Sequence, residues 1–196
     1  MDINIENLQN WSFETDIEKI AWATIDCPGQ SMNTLGERSF KELEAIIDEV
    51  ERGKLKNEIA GLVIISGKKN NFIAGADIKE FEQLDTVEKV EEVTDYGTKL
   101  FQRMEDLNVP VVVAINGFCL GGGLEMAMAC HYRIATRSEG TRVGLPEVKL
   151  GIIPGIHGTV RMLRLAGPLN GMTAMLTGRM LKAPVAKAYG LVDQLV

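Results

Sequence analysis

The chain has 196 residues, which is long enough for one domain whose core needs no disulfide or metal to hold it together. Its content of 45% hydrophobic and 24% charged residues excludes a disordered, collagenous or coiled-coil protein. The net charge of −6 argues against nucleic acid as the main partner.

Charge is unevenly distributed along the chain. Residues 77–106 carry ten acidic and four basic side chains, whereas residues 131–187 carry nine basic and two acidic ones. The basic segment is either an ordinary solvated surface or a positive field that attracts a small molecule bearing phosphate groups. Both interpretations stay open at this point.

Cysteine usage and the N-terminus bear on the cellular compartment. Cys27, Cys119 and Cys130 are odd in number and lack a metal-binding spacing, so we expect reduced core thiols, no metal site and a cytoplasmic location. The acidic N-terminus lacks the apolar segment of a signal peptide. The longest uncharged run, residues 107–124, contains a proline and four glycines, so we expect no membrane span.

Strands and helices alternate in the order expected of an α/β protein. Apolar runs predict strands at residues 20–25, 60–65, 111–115, 132–136 and 191–196. Apolar periodicity and runs of helix formers predict helices at residues 37–52, 87–107, 124–130, 158–166, 169–177 and 184–189. We expect a loop at residues 68–76 and an extended piece at residues 143–147. A strand, a helix and a second strand connected in this way imply a parallel pair.

Three consecutive glycines, Gly121, Gly122 and Gly123, lie between the strand at residues 111–115 and an apolar helix. The first N–H groups of a helix have no partner within the helix, and glycine lets a ligand oxygen approach them. The turn therefore holds either an anion or a developing oxyanion, or else it only packs the helix tightly against the strand. It matches neither a Walker loop nor a dinucleotide-binding fingerprint.

Two glutamates lie in otherwise apolar, glycine-broken segments. Glu125 follows the three glycines, and Glu147 follows a proline near the end of the predicted extended piece. Each is either an acid placed at a helix start or a buried carboxylate whose raised pKa suits proton transfer. Two such groups can take a proton from water and give one to carbon, but their sequence positions do not establish that they meet.

Three segments taken together resemble the signature segments of the crotonase (enoyl-CoA hydratase) superfamily. They are FIAGADIK at residues 72–79, NGFCLGGGLE at residues 116–125 and GLPEVKLGIIPG at residues 144–155. The resemblance covers residues 20–196 and is strongest to the N-terminal hydratase domains of multifunctional fatty-acid oxidation α-subunits. It implies an α/β crotonase (ClpP/crotonase-like) fold of repeated ββα units. Residues 1–196 would form one hydratase domain of a longer chain, with the family's C-terminal helices truncated.

The resemblance also implies roles for four residues at the reaction centre. Glu125 matches the family glutamate that deprotonates the attacking water, and Glu147 matches the one that protonates the α-carbon. The backbone N–H groups of Ala76 and Gly122 match the oxyanion hole that holds the thioester oxygen. The implied activity is reversible syn hydration of trans-2-enoyl-CoA to 3-hydroxyacyl-CoA, with neither a metal nor a redox cofactor.

Further residues match positions that bind the substrate in the family. Ala74, Ile78 and Lys79 lie where relatives line the adenine and phosphate end of coenzyme A, and Gly155 matches a backbone contact near the catalytic water. The expected partner is the acyl-CoA substrate, without nucleic acid or membrane. Full-length relatives pair with a thiolase subunit, and a homo-oligomer is a further expectation.

His157 departs from the family pattern, because relatives usually carry glycine at this position. The substitution would either narrow the acyl pocket or impose a strained backbone. Three rival functions remain, namely an enoyl-CoA Δ-isomerase of the same fold, a non-catalytic acyl-CoA-binding or docking module, and RNA binding. The two glutamates favour the hydratase over the isomerase, and the net charge disfavours RNA.

Overall fold

The computed structural model describes residues 3–196, apart from the side chain of Phe81. The strands are β1 Trp11–Thr15, β2 Ile20–Ile25, β3 Gly61–Ser66, β4 Asn71–Ile73, β5 Val111–Ile115, β6 Phe118–Leu120, β7 Tyr132–Ala135, β8 Arg142–Gly144, β9 Leu181–Lys182 and β10 Gln194–Leu195. The α-helices are α1 Glu37–Leu55, α2 Ile78–Phe81, α3 Val87–Glu105, α4 Gly122–Ala129, α5 Gly158–Thr177 and α6 Ala183–Ala188. A 3-10 helix, Glu147–Leu150, lies between β8 and α5.

The strands form two sheets. The larger sheet has the order β1-β2-β3-β5-β7-β10, in which only the β1–β2 pair is antiparallel. The smaller sheet has the order β4-β6-β8-β9, in which only the β8–β9 pair is antiparallel. The parallel pairing that was inferred from the strand–helix–strand order is therefore confirmed.

A repeated unit connects the two sheets. The strands β3, β5 and β7 lie in the larger sheet, and each is followed by a short strand of the smaller sheet and then by a helix. The units are β3-β4-α3, β5-β6-α4 and β7-β8-α5. This arrangement agrees with the repeated ββα units expected from the sequence. It places the ends of the short strands β4, β6 and β8 side by side, where the glycine turn begins.

The sequence missed the shortest elements. β4, β6 and β9 have two or three residues, too few for a periodicity to be read, and β4 lies in the segment predicted as loop. β1, which carries two apolar residues, was also missed. The strand predicted at residues 191–196 is reduced to Gln194–Leu195, because Leu191 and Val192 are buried in the turn that follows α6.

Two further predictions concern α5 and the cysteines. The two helices predicted at residues 158–166 and 169–177 are the halves of α5, which is broken where Gly167 has φ 73°. The three cysteines are free and buried, as expected of core thiols. In the part of the chain that the structure describes, no helix is both long and apolar enough to cross a membrane.

Candidate active site

Glu125 lies in the interior of the protein because α4, the helix that carries it, is buried along almost its whole length. The residue is only 3% exposed. Its Oε1 atom accepts hydrogen bonds from the N–H of Ile156 at 2.8 Å and from the N–H of Gly158 at 2.9 Å. Two backbone donors therefore fix the orientation of this carboxylate from one side.

Opposing effects set the pKa of Glu125. The net pKa is raised from 4.5 to about 7. Burial is the largest cause and the charge of Glu147 adds to it, whereas the two backbone N–H groups and the charge of Arg161 lower the pKa. The pKa of Glu125 is therefore close to neutral pH, where the carboxyl group can both accept and release a proton.

Glu147 begins the 3-10 helix that follows β8 and is 8% exposed. Its Oε2 atom is buried and makes no hydrogen bond to any residue in the range 3–196. Burial raises the pKa of this carboxyl from 4.5 as well. An oxygen that is removed from water without a partner favours the protonated form, which can donate a proton.

The two carboxylates meet around the glycine turn. A Cβ atom added to Gly121 would lie 3.1 Å from Glu147 Oε1, and a Cβ atom added to Gly122 would lie 4.0 Å from Glu125 Oε2. The charge of Glu147 also acts on Glu125. The structure therefore brings together the two glutamates that the sequence singled out.

The three glycines of the turn have different surroundings. Gly121 has φ 53°, a conformation that disfavours other residues. A Cβ atom at Gly123 would lie 2.6 Å from the carbonyl oxygen of Ile73, so this position serves tight packing against β4. A Cβ atom at Gly122 would make only ordinary contacts, the nearest 3.5 Å from Leu35 Cδ1. Gly122 is the first residue of α4, and the N–H groups of the first turn of a helix have no partner within the helix.

Ala76 lies next to this turn. Leu35 donates its N–H to the carbonyl of Gly75 at 2.9 Å, and Asp77 donates its N–H to the carbonyl of Leu35 at 2.9 Å. In such a parallel bridge the N–H of the intervening residue, Ala76, points to the opposite side. Gly75, the residue before Ala76, lies beside the glycine turn, since a Cβ atom on Gly121 would lie 3.6 Å from the Cα of Gly75.

The remaining predicted substrate residues lie at the periphery of this centre. Ala74 is half-buried and donates its N–H to the carbonyl of Asn33. Ile78 and Lys79 begin α2, whose N-cap Asp77 follows Ala76, and both are exposed. Gly155 immediately precedes the Glu125-binding residue Ile156, and a Cβ atom there would lie 3.1 Å from Thr94 Cγ2.

Sequence reasoning missed the two backbone donors to Glu125, Ile156 and Gly158. His157 between them has φ 58° and ψ 14°, the left-handed conformation, and its side chain is exposed. This turn brings both neighbouring N–H groups to one oxygen. Of the two alternatives for His157, a narrower acyl pocket or a strained backbone, the structure therefore supports the strained backbone. One sequence signal could have indicated this left-handed turn. His157 stands immediately before a predicted helix, at a position where the family pattern has glycine.

The fold and the buried carboxylate pair define an α/β protein of the crotonase type. The enoyl-CoA hydratase/isomerase family model matches residues 16–196, and the chain belongs to that family. The sequence-based assignment to the crotonase superfamily and its fold is therefore confirmed.

Individual relatives agree with this assignment. A protein of Vibrio cholerae named fatty acid oxidation complex subunit alpha is 43% identical over 192 residues, which are 98% of this chain and 27% of that protein. A protein of the same name from Shewanella loihica is 48% identical over 90% of this chain and 25% of its own length. The crystal structure of enoyl-CoA hydratase from Bacillus anthracis has a TM-score of 0.87 at 33% identity, covering 96% of this chain and 70% of the other. The chain thus spans about a quarter of the length of the curated relatives it matches.

Proposed function

We propose that the chain catalyses reversible syn addition of water to trans-2-enoyl-CoA, giving 3-hydroxyacyl-CoA, as in fatty acid β-oxidation. Family membership supports the reaction class. The observation that carries the proposal is the pair of buried carboxylates that flank the turn at Gly121 and Gly122. One carboxylate is held by two N–H groups and the other has an unpartnered oxygen.

The chemistry follows from these two environments. Ionised Glu125 takes a proton from water while the resulting hydroxide adds to C3 of the enoyl group. The electrons of the double bond move toward the thioester oxygen, where the N–H groups of Ala76 and Gly122 stabilise the enolate. Protonated Glu147 then delivers its proton to C2. The step adds one water, while Glu125 gains a proton and Glu147 loses one. Return of a proton from Glu125 to Glu147 through solvent restores both groups for the next turnover.

The reaction changes no oxidation state and needs no nucleophile other than water, so we propose that it uses neither a redox cofactor nor a metal. Calorimetric titration checks the ligand class, with binding expected for acetyl-CoA and none for NADH. Binding of NADH without binding of acetyl-CoA would contradict the proposal.

The cellular setting is part of the same proposal. Two relatives are named as α-subunits of a fatty acid oxidation complex, which supports a place in a multienzyme complex. A thiolase subunit as the partner is a further proposal, which co-purification with a thiolase subunit would test. Buried free thiols are compatible with a cytoplasmic location. Self-association is a further proposal, and sedimentation of the chain tests it.

A hydration assay tests the function. Loss of the conjugated-enoyl absorbance of a short enoyl-CoA is followed for the parent, Glu125→Gln and Glu147→Gln. Each variant keeps the size of the side chain and is expected to lower turnover by about 10²- to 10⁴-fold. Glu139→Gln, at an exposed glutamate, is the matched control and should retain parental turnover.

The outcomes separate the rival functions. A Δ-isomerase can act with one carboxylate, so its parent would shift the double bond without hydration, and one of the two glutamine variants would be nearly silent. A non-catalytic acyl-CoA-binding module would bind acetyl-CoA and show no turnover of either kind.

A further inference from the structure

Arg161 is a buried charged side chain close to the proposed centre that the proposed chemistry does not use. It lies in the first turns of α5 with its side chain 4% exposed. Arginine is almost never buried to this extent unless it is paired. Its partners therefore indicate what the residue is for.

The guanidinium bridges the end of α3 and the segment that precedes α5. Its Nε and Nη2 atoms donate to Glu105 Oε2, at the end of α3, at 3.0 and 2.8 Å. Its Nη1 atom donates to the carbonyl oxygen of Ile156 at 3.2 Å. The N–H of the same residue, Ile156, donates to Glu125 Oε1. One side chain thus ties α3 to the peptide segment that holds Glu125.

We propose that Arg161, anchored by Glu105, is a positioning residue that keeps the N–H groups of Ile156 and Gly158 aimed at Glu125. This inference rests on the proposed function for its catalytic meaning, whereas the positioning itself is a property of the fold. The need for a clamp follows from His157, since a left-handed residue between two donors is costly to hold without support.

Charge adds to this geometry. The groups that act on Glu125 by charge are Glu147, which raises its pKa, and Arg161, which lowers it. Around Arg161 itself lie Glu105, the exposed Arg164, whose Nη1 is 4.0 Å from Glu105 Oε1, and the buried Cys130 thiol. Loss of the Arg161 charge should therefore raise the pKa of Glu125, which delays its ionisation to higher pH.

Four variants of the full chain test the proposal. Arg161→Met removes both the hydrogen bonds and the charge. Arg161→Lys keeps the charge, but its single ammonium group lacks the planar guanidinium that donates to Glu105 and to the Ile156 carbonyl together. Glu105→Gln leaves Arg161 in place and weakens its anchor. Arg164→Met is the matched control, because Arg164 shares the partner Glu105 but is 69% exposed.

Amide hydrogen exchange is the first measurement, since it does not depend on activity. In Arg161→Met the amides of Ile156 and Gly158 should exchange about tenfold faster, as for the loss of one hydrogen bond, while those of β3 and β5 stay protected. Arg161→Lys should show the same acceleration, and Glu105→Gln a smaller one. Arg164→Met should match the parent.

Hydration kinetics are the second measurement. Arg161→Met should lower kcat by about 10²-fold with little change in KM, and the acid side of its pH profile should move up by about half a pH unit. Arg161→Lys should lose kcat while keeping the parental midpoint. A merely structural role for Arg161 would lower stability without moving that midpoint.

The failure of this inference differs from the failure of the proposed function. Parental amide exchange and a parental pH midpoint in folded Arg161→Met would overturn the positioning role, even if the parent hydrates enoyl-CoA. A parent without hydration but with the expected exchange pattern would overturn only the proposed function. If Arg161→Met does not fold, the test is made with Glu105→Gln. Amide exchange at Ile156 and Gly158 that is as slow in Glu105→Gln as in the parent would then overturn the inference.

Discussion

The two buried glutamates occupy contrasting environments within one site. Glu125 comes from a helix that is buried along almost its whole length, and two backbone N–H groups hold one of its oxygens. Glu147 comes from a short 3-10 helix and has a buried oxygen with no partner among residues 3–196. Burial raises the pKa of both, so burial alone does not distinguish them.

Hydrogen bonding makes the difference. Donors favour the ionised form and fix the lone pairs, whereas an oxygen without a donor favours the form that carries a proton. The proposed mechanism assigns the base to the carboxylate with two donors and the acid to the carboxyl with the unpartnered oxygen.

The largest expected effect comes from removing both carboxylates. If Glu125 and Glu147 act on one transition state, the double glutamine variant should be at most about tenfold slower than the slower single variant, because residues that act as a unit are not additive. Initial rates of hydration for the parent, both singles and the double measure this. A fully multiplicative loss would show that the two groups act in separate steps.

The next prediction concerns the N–H group of Gly122, which the proposed mechanism places in the oxyanion hole. Gly122→Pro removes the N–H group at the first position of a helix, where proline is tolerated. Turnover should fall by about 10²- to 10³-fold, as for the loss of one oxyanion donor. Gly122→Ala keeps the N–H and makes only ordinary contacts, so it should stay within a few-fold of the parent. Equal losses in both variants would assign the effect to shape rather than to the donor.

Stability should respond in the opposite direction to activity. The folded-state pKa of Glu125 is raised from 4.5 to about 7, so its contribution to stability is fully present below pH 4.5 and is lost as the pH rises through about 7. Glu125→Gln should therefore raise the free energy of unfolding at pH 8 by up to about 3 kcal/mol and change it little at pH 4.

Urea unfolding at the two pH values measures this difference. Glu147→Gln should act with the same sign, because burial raises its pKa too. Destabilisation of Glu125→Gln at pH 8 would show that the two N–H donors outweigh the cost of burying the charge.

The smallest expected effect concerns the turn that holds Glu125. His157→Gly removes a side chain from a left-handed residue and should change stability by no more than about 1 kcal/mol, since relief of strain is offset by greater backbone entropy in the unfolded chain. Turnover should stay near parental because the backbone donors remain. His157→Val should destabilise the turn, since a β-branched residue disfavours this conformation. Thermal unfolding and hydration rates distinguish the two variants.

Local patterns determined much of this protein. The apolar runs that became β2, β3 and β5 and the periodicity that became α1 and α3 were evident in the sequence, because each is a long, regular signal. Family motifs also singled out Glu125, Glu147, Ala76 and Gly122. The short strands β4, β6 and β9 carry no such signal, and they were found only in the structure.

Tertiary structure decided how the parts meet. Glu125 and Glu147 lie on different elements, and only the side-by-side ends of β6 and β8 bring them to one turn. The donors to Glu125 depend on the left-handed backbone at His157, and their support depends on the contact of Arg161 with Glu105 across two helices. Sequence patterns report the preference of a segment for its own conformation. Burial, hydrogen bonds and pKa shifts arise between segments distant in the chain, so only the folded protein determines them.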